Sequence, residues 1–235
     1  YQQEKQFAKQ HFPNLEILLN MEVDYYPGDP QQTLSFVQQC KDFDCLLGSL
    51  HFDQELKSLW QSQLPNFVNK YATEWKRAAQ TGWFQVMSHL DYFRSEFDKH
   101  YFQHFDLYFD DLKECLQFLQ QTNSDLRQQG KQEISLELNT GAFQDSQEPF
   151  MPCKRLIQEA IQLKIPLVLG SDAHRCVDVG RNFEQALVFL VDNGCEKLSY
   201  YRQKTRIEYS VVEALTGLQK LSALKTDELA QQSAL

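Results

Sequence analysis

Five short apolar runs recur along this chain with helix-length segments between them, and no other feature of the sequence constrains the fold as much. The runs cover residues 15–23 (LEILLNMEV), 45–50 (CLLGSL), 84–87 (FQVM), 133–138 (EISLEL) and 166–169 (PLVL), with a weaker one near Tyr200. Their length suits strands, and Pro27 and Gly28 punctuate the end of the first. Near-continuous apolar character predicts strands covered on both faces rather than strands with one wet face. The intervening segments, 31–40, 64–81, 107–121, 152–163 and 179–193, carry helical spacing. Repeated strand and helix predicts right-handed crossovers and a parallel sheet, either open or closed into a barrel. In both architectures, ligand-binding groups collect at the carboxyl ends of the strands. No Gly/Ser/Pro-rich linker divides residues 1–235, so the reading is a single domain, with the stretch from about residue 213 a terminal helix or a frayed end.

Composition narrows the partners. A hydrophobic content of 42% supports a packed core, and 23 Lys plus Arg against 32 Asp plus Glu gives a net charge of −9. That balance argues against general affinity for a nucleic-acid backbone or an anionic membrane; an anionic small molecule would need a local basic pocket. No apolar run approaches the roughly 20 residues of a membrane span. The six cysteines include no C-x-x-C pair. Their dilution speaks against a disulfide scaffold and for a reducing cytoplasm.

What stands at the strand ends carries the chemistry. Glu22 closes the first run, His51 follows the second and His89 the third; Glu137 and Asn139 end the fourth, and Asp172 with His174 follow the fifth. One histidine at a strand end is ordinarily a hydrogen-bonded turn residue, but successive ends supplying imidazoles and carboxylates predict convergence on one cleft. That nitrogen and oxygen set suits Zn, Mn or Fe, and bound cations would remove the repulsion among so many carboxylates. Other chemistries find less support. Ser49, Ser88 and Ser171 lack a G-x-S-x-G elbow, and there is no P-loop or G-x-G-x-x-G. His100 and His104 read as surface residues and His11 as a helix-end histidine.

The segments MEVDYYPG (21–28), GSLHF (48–52), SHLDYFR (88–94), LELNTG (136–141) and GSDAH (170–174), in that order, resemble the motifs of histidinol-phosphatases of the PHP (polymerase and histidinol phosphatase) family. The resemblance implies a distorted (β/α)7 barrel holding two or three divalent metal ions (Zn, Mn or Fe) and hydrolysing a phosphate monoester. Glu22 matches the family's metal-bridging glutamate, and His51, His89, Asp172 and His174 match metal ligands, with Glu22, Asp172 and His174 at the catalytic centre. Arg94 matches an arginine that contacts the substrate phosphate; the alternative for it is a surface ion pair with Glu96 or Asp98. The chemistry requires such groups. Phosphate monoesters hydrolyse very slowly unaided, so the reaction needs hydroxide at neutral pH and cations on the phosphoryl oxygens, to which a guanidinium adds a planar double donor.

Two departures qualify the match. The family opens with a strand ending in H-x-H, and no such pair lies upstream of Glu22, so the first strand-helix unit is expected to be absent from the chain as given. After LELNTG the family continues toward a second phosphate-binding arginine, where this sequence has Ala142, Phe143, Gln144 and Asp145. A neutral Gln144 donates hydrogen bonds but neutralises no charge. The expected activity is hydrolysis of L-histidinol phosphate in cytoplasmic histidine biosynthesis. The alternatives are a PHP-type phosphoesterase for another small phosphorylated metabolite or a nucleotide, and a non-catalytic PHP-like module.

Overall fold

The computed structural model describes residues 2–51, 56, 58–59, 64–96, 98–141 and 146–232. Its strands β1 (Asn20–Asp24), β2 (Cys45–Ser49), β3 (Val86–Met87), β4 (Ser135–Asn139), β5 (Leu167–Gly170), β6 (Lys197–Arg202) and β7 (Thr205–Ser210) form one 7-stranded sheet in chain order. Pairing is parallel from β1 to β6 and antiparallel between β6 and β7. The crossovers between parallel strands carry the helices anticipated from the sequence, including Pro30–Val37, Leu64–Gln80, Asp106–Gln128, Lys154–Gln162 and Phe183–Asp192.

The structure departs from the sequence reading at several elements. β1 begins at Asn20, because residues 15–19 lie outside any strand although Leu19 is tied to Asp44 through both its N–H and its carbonyl. The polar N-terminal stretch forms the helix Gln2–His11, with His11 at its end as the sequence reading has it. The helix expected from residue 179 starts at Phe183, after a 3-10 turn at Cys176–Asp178. Finally, β7 returns antiparallel through a tight turn in which Gln203 and Lys204 both have positive φ, 49° and 62°. A two-residue hairpin needs that backbone sign, yet glutamine and lysine give no warning of it. The stretch from about residue 213, read as a helix or a frayed end, lies in the helix Val211–Gln232.

Side chains alternate across each strand, and the two faces bury different things. Leu46, Met87, Leu136, Leu138, Leu167 and Leu198 point outward into the principal core, where they meet Tyr71, Trp75, Leu112, Leu116, Ile157 and Leu190 from the helices. The alternate positions Cys45, Val86, Val168 and Tyr201, with Leu47, form a second, smaller core inside the curl of the sheet. Tyr201 reaches across that interior to Ser135 (Oη to Oγ, 2.9 Å) and the Gln85 carbonyl (2.9 Å). The curl also brings the β6–β7 turn back to the start of β2: Asp44 accepts from Gln203 N–H (2.8 Å), and its carbonyl accepts from Lys204 N–H (2.7 Å). The outcome is an α/β fold built on a curled, barrel-like sheet, with the small interior core plugging its middle. No helix among the described residues is long and apolar enough to cross a membrane.

Candidate metal centre

Glu22 faces the interior of the curl because its neighbours Met21 and Val23 face the helical core, and strand alternation does the rest. Ser49, at the end of β2, donates its hydroxyl to Glu22 Oε1 and lies 2.9 Å from Ser88 Oγ; Ser88 in turn is 3.2 Å from the Gly48 carbonyl. These hydroxyls tie down one oxygen of the Glu22 carboxylate. His51 and His89 enter from the loops after β2 and β3. Their Nε2 atoms lie 3.8 Å and 3.1 Å from Glu22 Oε1. One donor atom from each of Glu22, His51 and His89 falls within 4.8 Å of the others. Tyr92 sets its ring 4.5 Å from that of His51 and 4.7 Å from that of His89, walling one side.

Glu137 lies beneath this trio, buried, with Oε2 accepting from His89 N–H (3.4 Å) and the Asn139 amide (3.3 Å). The neighbouring strand makes room for it with glycine: a Cβ on Gly170 would stand 2.2 Å from Glu137 Oε1. Asp172 follows β5 in the left-handed region at φ 47°, which aspartate tolerates better than most residues. It packs where a Cβ on Gly141 would come within 2.8 Å of its own Cβ. His174 is 85% exposed at the mouth, and its Nδ1 meets the Asp172 carbonyl at 2.9 Å.

The electrostatics are one-sided. Burial would raise the Glu22 pKa, but the His89 hydrogen bond and charge, the Ser49 hydroxyl and His51 together bring it down to about 2. Burial would lower that of His89, yet its hydrogen bond to Glu22 and the charges of Glu137, Glu22 and Asp172 raise it. Burial raises that of Glu137, and the Glu22 charge adds to the effect. Among the described residues no lysine or arginine lies within ion-pair distance of Glu22, Asp24, Glu137 or Asp172, whose only ion-pair neighbours are histidines. His89 Nδ1 is buried and has no hydrogen-bond partner among them. Two imidazoles and a carboxylate that converge with no lysine or arginine within ion-pair distance among the described residues are a donor set that fits a divalent metal ion.

The sequence-predicted residues thus separate into three groups. Glu22, His51 and His89 meet directly. Asp172 stands close enough to act on the charge of His89, and His174 stays at the rim. Arg94, expected on the substrate phosphate, is fully buried: its guanidinium donates to the Phe150 carbonyl (2.7 Å), approaches that of Glu148 (3.5 Å) and sits 5.2 Å over the Phe102 ring. The physical reason is that main-chain acceptors and an aromatic face lie on the inner side of the 3-10 turn Tyr92–Glu96. Gln144 lies outside the described residues. Sequence reasoning passed over Asp24, whose carboxylate hydrogen-bonds His51 Nδ1. Its position two residues after Glu22 on one strand was the available signal.

No protein-family model matches the chain. A probable histidinol-phosphatase of Deinococcus radiodurans is 27% identical over 220 residues, which cover 87% of this chain and 75% of that protein. The crystal structure of a histidinol phosphate phosphatase from Lactococcus lactis, complexed with zinc, L-histidinol and phosphate, superposes with a TM-score of 0.62 at 16% identity, covering 88% of this chain and 78% of the other. In sequence over most of its length, and in fold, the chain is similar to histidinol-phosphatases.

Proposed function

We propose that this chain is a metal-dependent phosphatase that hydrolyses L-histidinol phosphate to L-histidinol and phosphate, serving histidine biosynthesis in the cytoplasm. The observation that carries the reading is the convergence of Glu22, His51 and His89 at the carboxyl ends of neighbouring strands, with no lysine or arginine within ion-pair distance of Glu22 among the described residues. The likeness to histidinol-phosphatases supplies the substrate class. Two or three divalent ions (Zn, Mn or Fe), held by Glu22, His51, His89, Asp172 and His174, would acidify water and neutralise the phosphoryl oxygens. The chain's own groups do the rest. The Ser49 hydroxyl fixes one oxygen of Glu22, and Glu137 accepts from the His89 backbone N–H, so the donors are aimed before anything binds. Asp172 and His174 extend the donor set toward the mouth. Arg94 enters as an internal anchor of the segment around Phe150.

The test is phosphate release by the purified, metal-supplemented chain from L-histidinol phosphate and from a panel of other monoesters. Selective turnover of L-histidinol phosphate, abolished by chelator and restored by Zn, Mn or Fe, is expected. A second reading, a phosphoesterase for another small phosphorylated metabolite, is favoured by the neutral Gln144 after LELNTG. Equal turnover across the panel would select it, and absence of any turnover with metal bound would select a non-catalytic module.

A further inference from the structure

We propose that Asp24 is a positioning residue that fixes the tautomer and orientation of His51, so that the His51 Nε2 lone pair is presented beside Glu22 and His89. The inference rests on the metal-centre reading above and deepens it. Glu22 and Asp24 are two apart on β1 and therefore share the inward face, roughly 6.5 Å apart along the strand. The His51 ring spans that interval. Its Nδ1 hydrogen-bonds Asp24 Oδ1, while its Nε2 lies 3.8 Å from Glu22 Oε1.

An ionised carboxylate only accepts, so the shared hydrogen belongs to His51 Nδ1; a neutral imidazole has one N–H, which leaves Nε2 as the acceptor. The Tyr92 ring, edge-on at 4.5 Å, packs against the imidazole. Asp24 is itself held. Its carbonyl accepts from the Thr33 hydroxyl (3.2 Å), and that hydroxyl accepts from Tyr26 N–H (3.0 Å). Thr33 is buried in the helix Pro30–Val37, whose N-terminus Asp29 caps by accepting from the Gln31 and Gln32 N–H groups (3.1 and 3.2 Å). A capped helix, a threonine clamp, a carboxylate and an imidazole form one chain of support ending at the candidate centre.

The experiment uses the full chain and zinc alone. Zinc affinity is measured by competition with a chromophoric chelator for the wild type, Asp24→Ala, Asp24→Glu, His51→Ala and the Asp24→Ala/His51→Ala pair. The His51 tautomer is read in the zinc-free protein from imidazole 15N shifts, at a pH where the ring is neutral. Loss of an outer-shell carboxylate predicts roughly 10- to 100-fold weaker zinc binding in Asp24→Ala and partial recovery in Asp24→Glu. The Nδ1–H signature of His51 should give way to a tautomer mixture. Because Asp24 acts through His51, the double variant should bind zinc no more weakly than His51→Ala alone. Losses that multiply in the double variant would make Asp24 a ligand in its own right and overturn the positioning role, as would an unchanged tautomer with unchanged affinity. A wild-type chain that binds no zinc would overturn the metal reading instead, and the 15N spectra would still show whether Asp24 holds His51.

Discussion

The two poles of the sheet use the same residue types to opposite ends. At the amino pole every acidic group of the network is balanced: Glu133 accepts from Arg127 (2.6 Å) and Arg206 (2.9 Å), and Glu208 from Lys197 (2.9 Å) and Arg206 (3.2 Å). Asp44 satisfies its oxygens with Lys5 Nζ (3.3 Å), Leu19 N–H (2.9 Å) and Gln203 N–H (2.8 Å). At the carboxyl pole Glu22, Asp24, Glu137 and Asp172 crowd together with His51 and His89, and among the described residues no lysine or arginine answers them. Glu137 is buried while the others are partly exposed, and clustered carboxylates without a cation repel one another, so a fold tolerates them where something else supplies the charge. The amino pole ties the sheet into its curl, and the carboxyl pole is left to bind. On the proposed reading, stability and function are divided along the strand axis.

If that division holds, zinc should stabilise the chain strongly through one pole only. At a free concentration 1,000 times its dissociation constant, a ligand specific for the native state adds about 4 kcal/mol. Thermal unfolding with and without zinc should show this at neutral pH and lose it on acidification, because imidazoles and carboxylates bind metal only when deprotonated. A zinc effect of the same size in His89→Ala would break the comparison.

Catalysis should follow the same partition. His89→Ala is expected to reduce phosphate release by more than the roughly 100-fold that loss of an outer-shell partner costs, whereas Glu133→Gln at the opposite pole should leave kcat unchanged. Steady-state kinetics on L-histidinol phosphate decides this.

Arg94 sharpens the boundary between the two. With its guanidinium on main-chain carbonyls inside the protein, Arg94→Ala should cost about 1–3 kcal/mol in a denaturant titration, with KM changing little at a temperature where the variant is folded. A rise in KM without loss of stability would return Arg94 to the substrate phosphate.

The smallest effect belongs to Asp44. Burial would raise its pKa, but the Gln203 and Leu19 N–H groups and Lys5 hold it below the ordinary carboxylate range. A depressed folded pKa means that the contribution is present above the unfolded value and is lost as pH falls through the folded one. Asp44→Asn should therefore lower stability by about 1 kcal/mol at neutral pH and make the decline below about pH 4 shallower. Equal acid sensitivity in wild type and variant would remove Asp44 from the network.

Legibility in the sequence followed the physics. Strands β2 to β5 were readable because burial or half-burial on both faces leaves near-continuous apolar runs, and the convergence of Glu22, His51 and His89 was readable because they stand where such runs stop. The strand β7 was not, since its turn places Gln203 and Lys204 at positive φ without the Gly or Asn that signals such a turn, and Thr205–Ser210 is largely polar. The interior seat of Arg94 depends on where the Phe150 and Glu148 carbonyls end up, more than 50 residues away in sequence, which no local pattern encodes. Asp24 went unremarked because aspartate before a Pro-Gly turn reads first as a turn former.

The most direct test of the central claim is a count of bound metal. The wild-type chain and its Glu22→Gln, His51→Ala, His89→Ala and Glu133→Gln variants would be equilibrated with zinc, separated from free ion and measured by elemental mass spectrometry. Two or three zinc ions per wild-type chain are predicted, with the count falling in the three carboxyl-pole variants and unchanged in Glu133→Gln. A wild-type chain that retains no zinc, or carboxyl-pole variants that retain as much as the wild type, would contradict it.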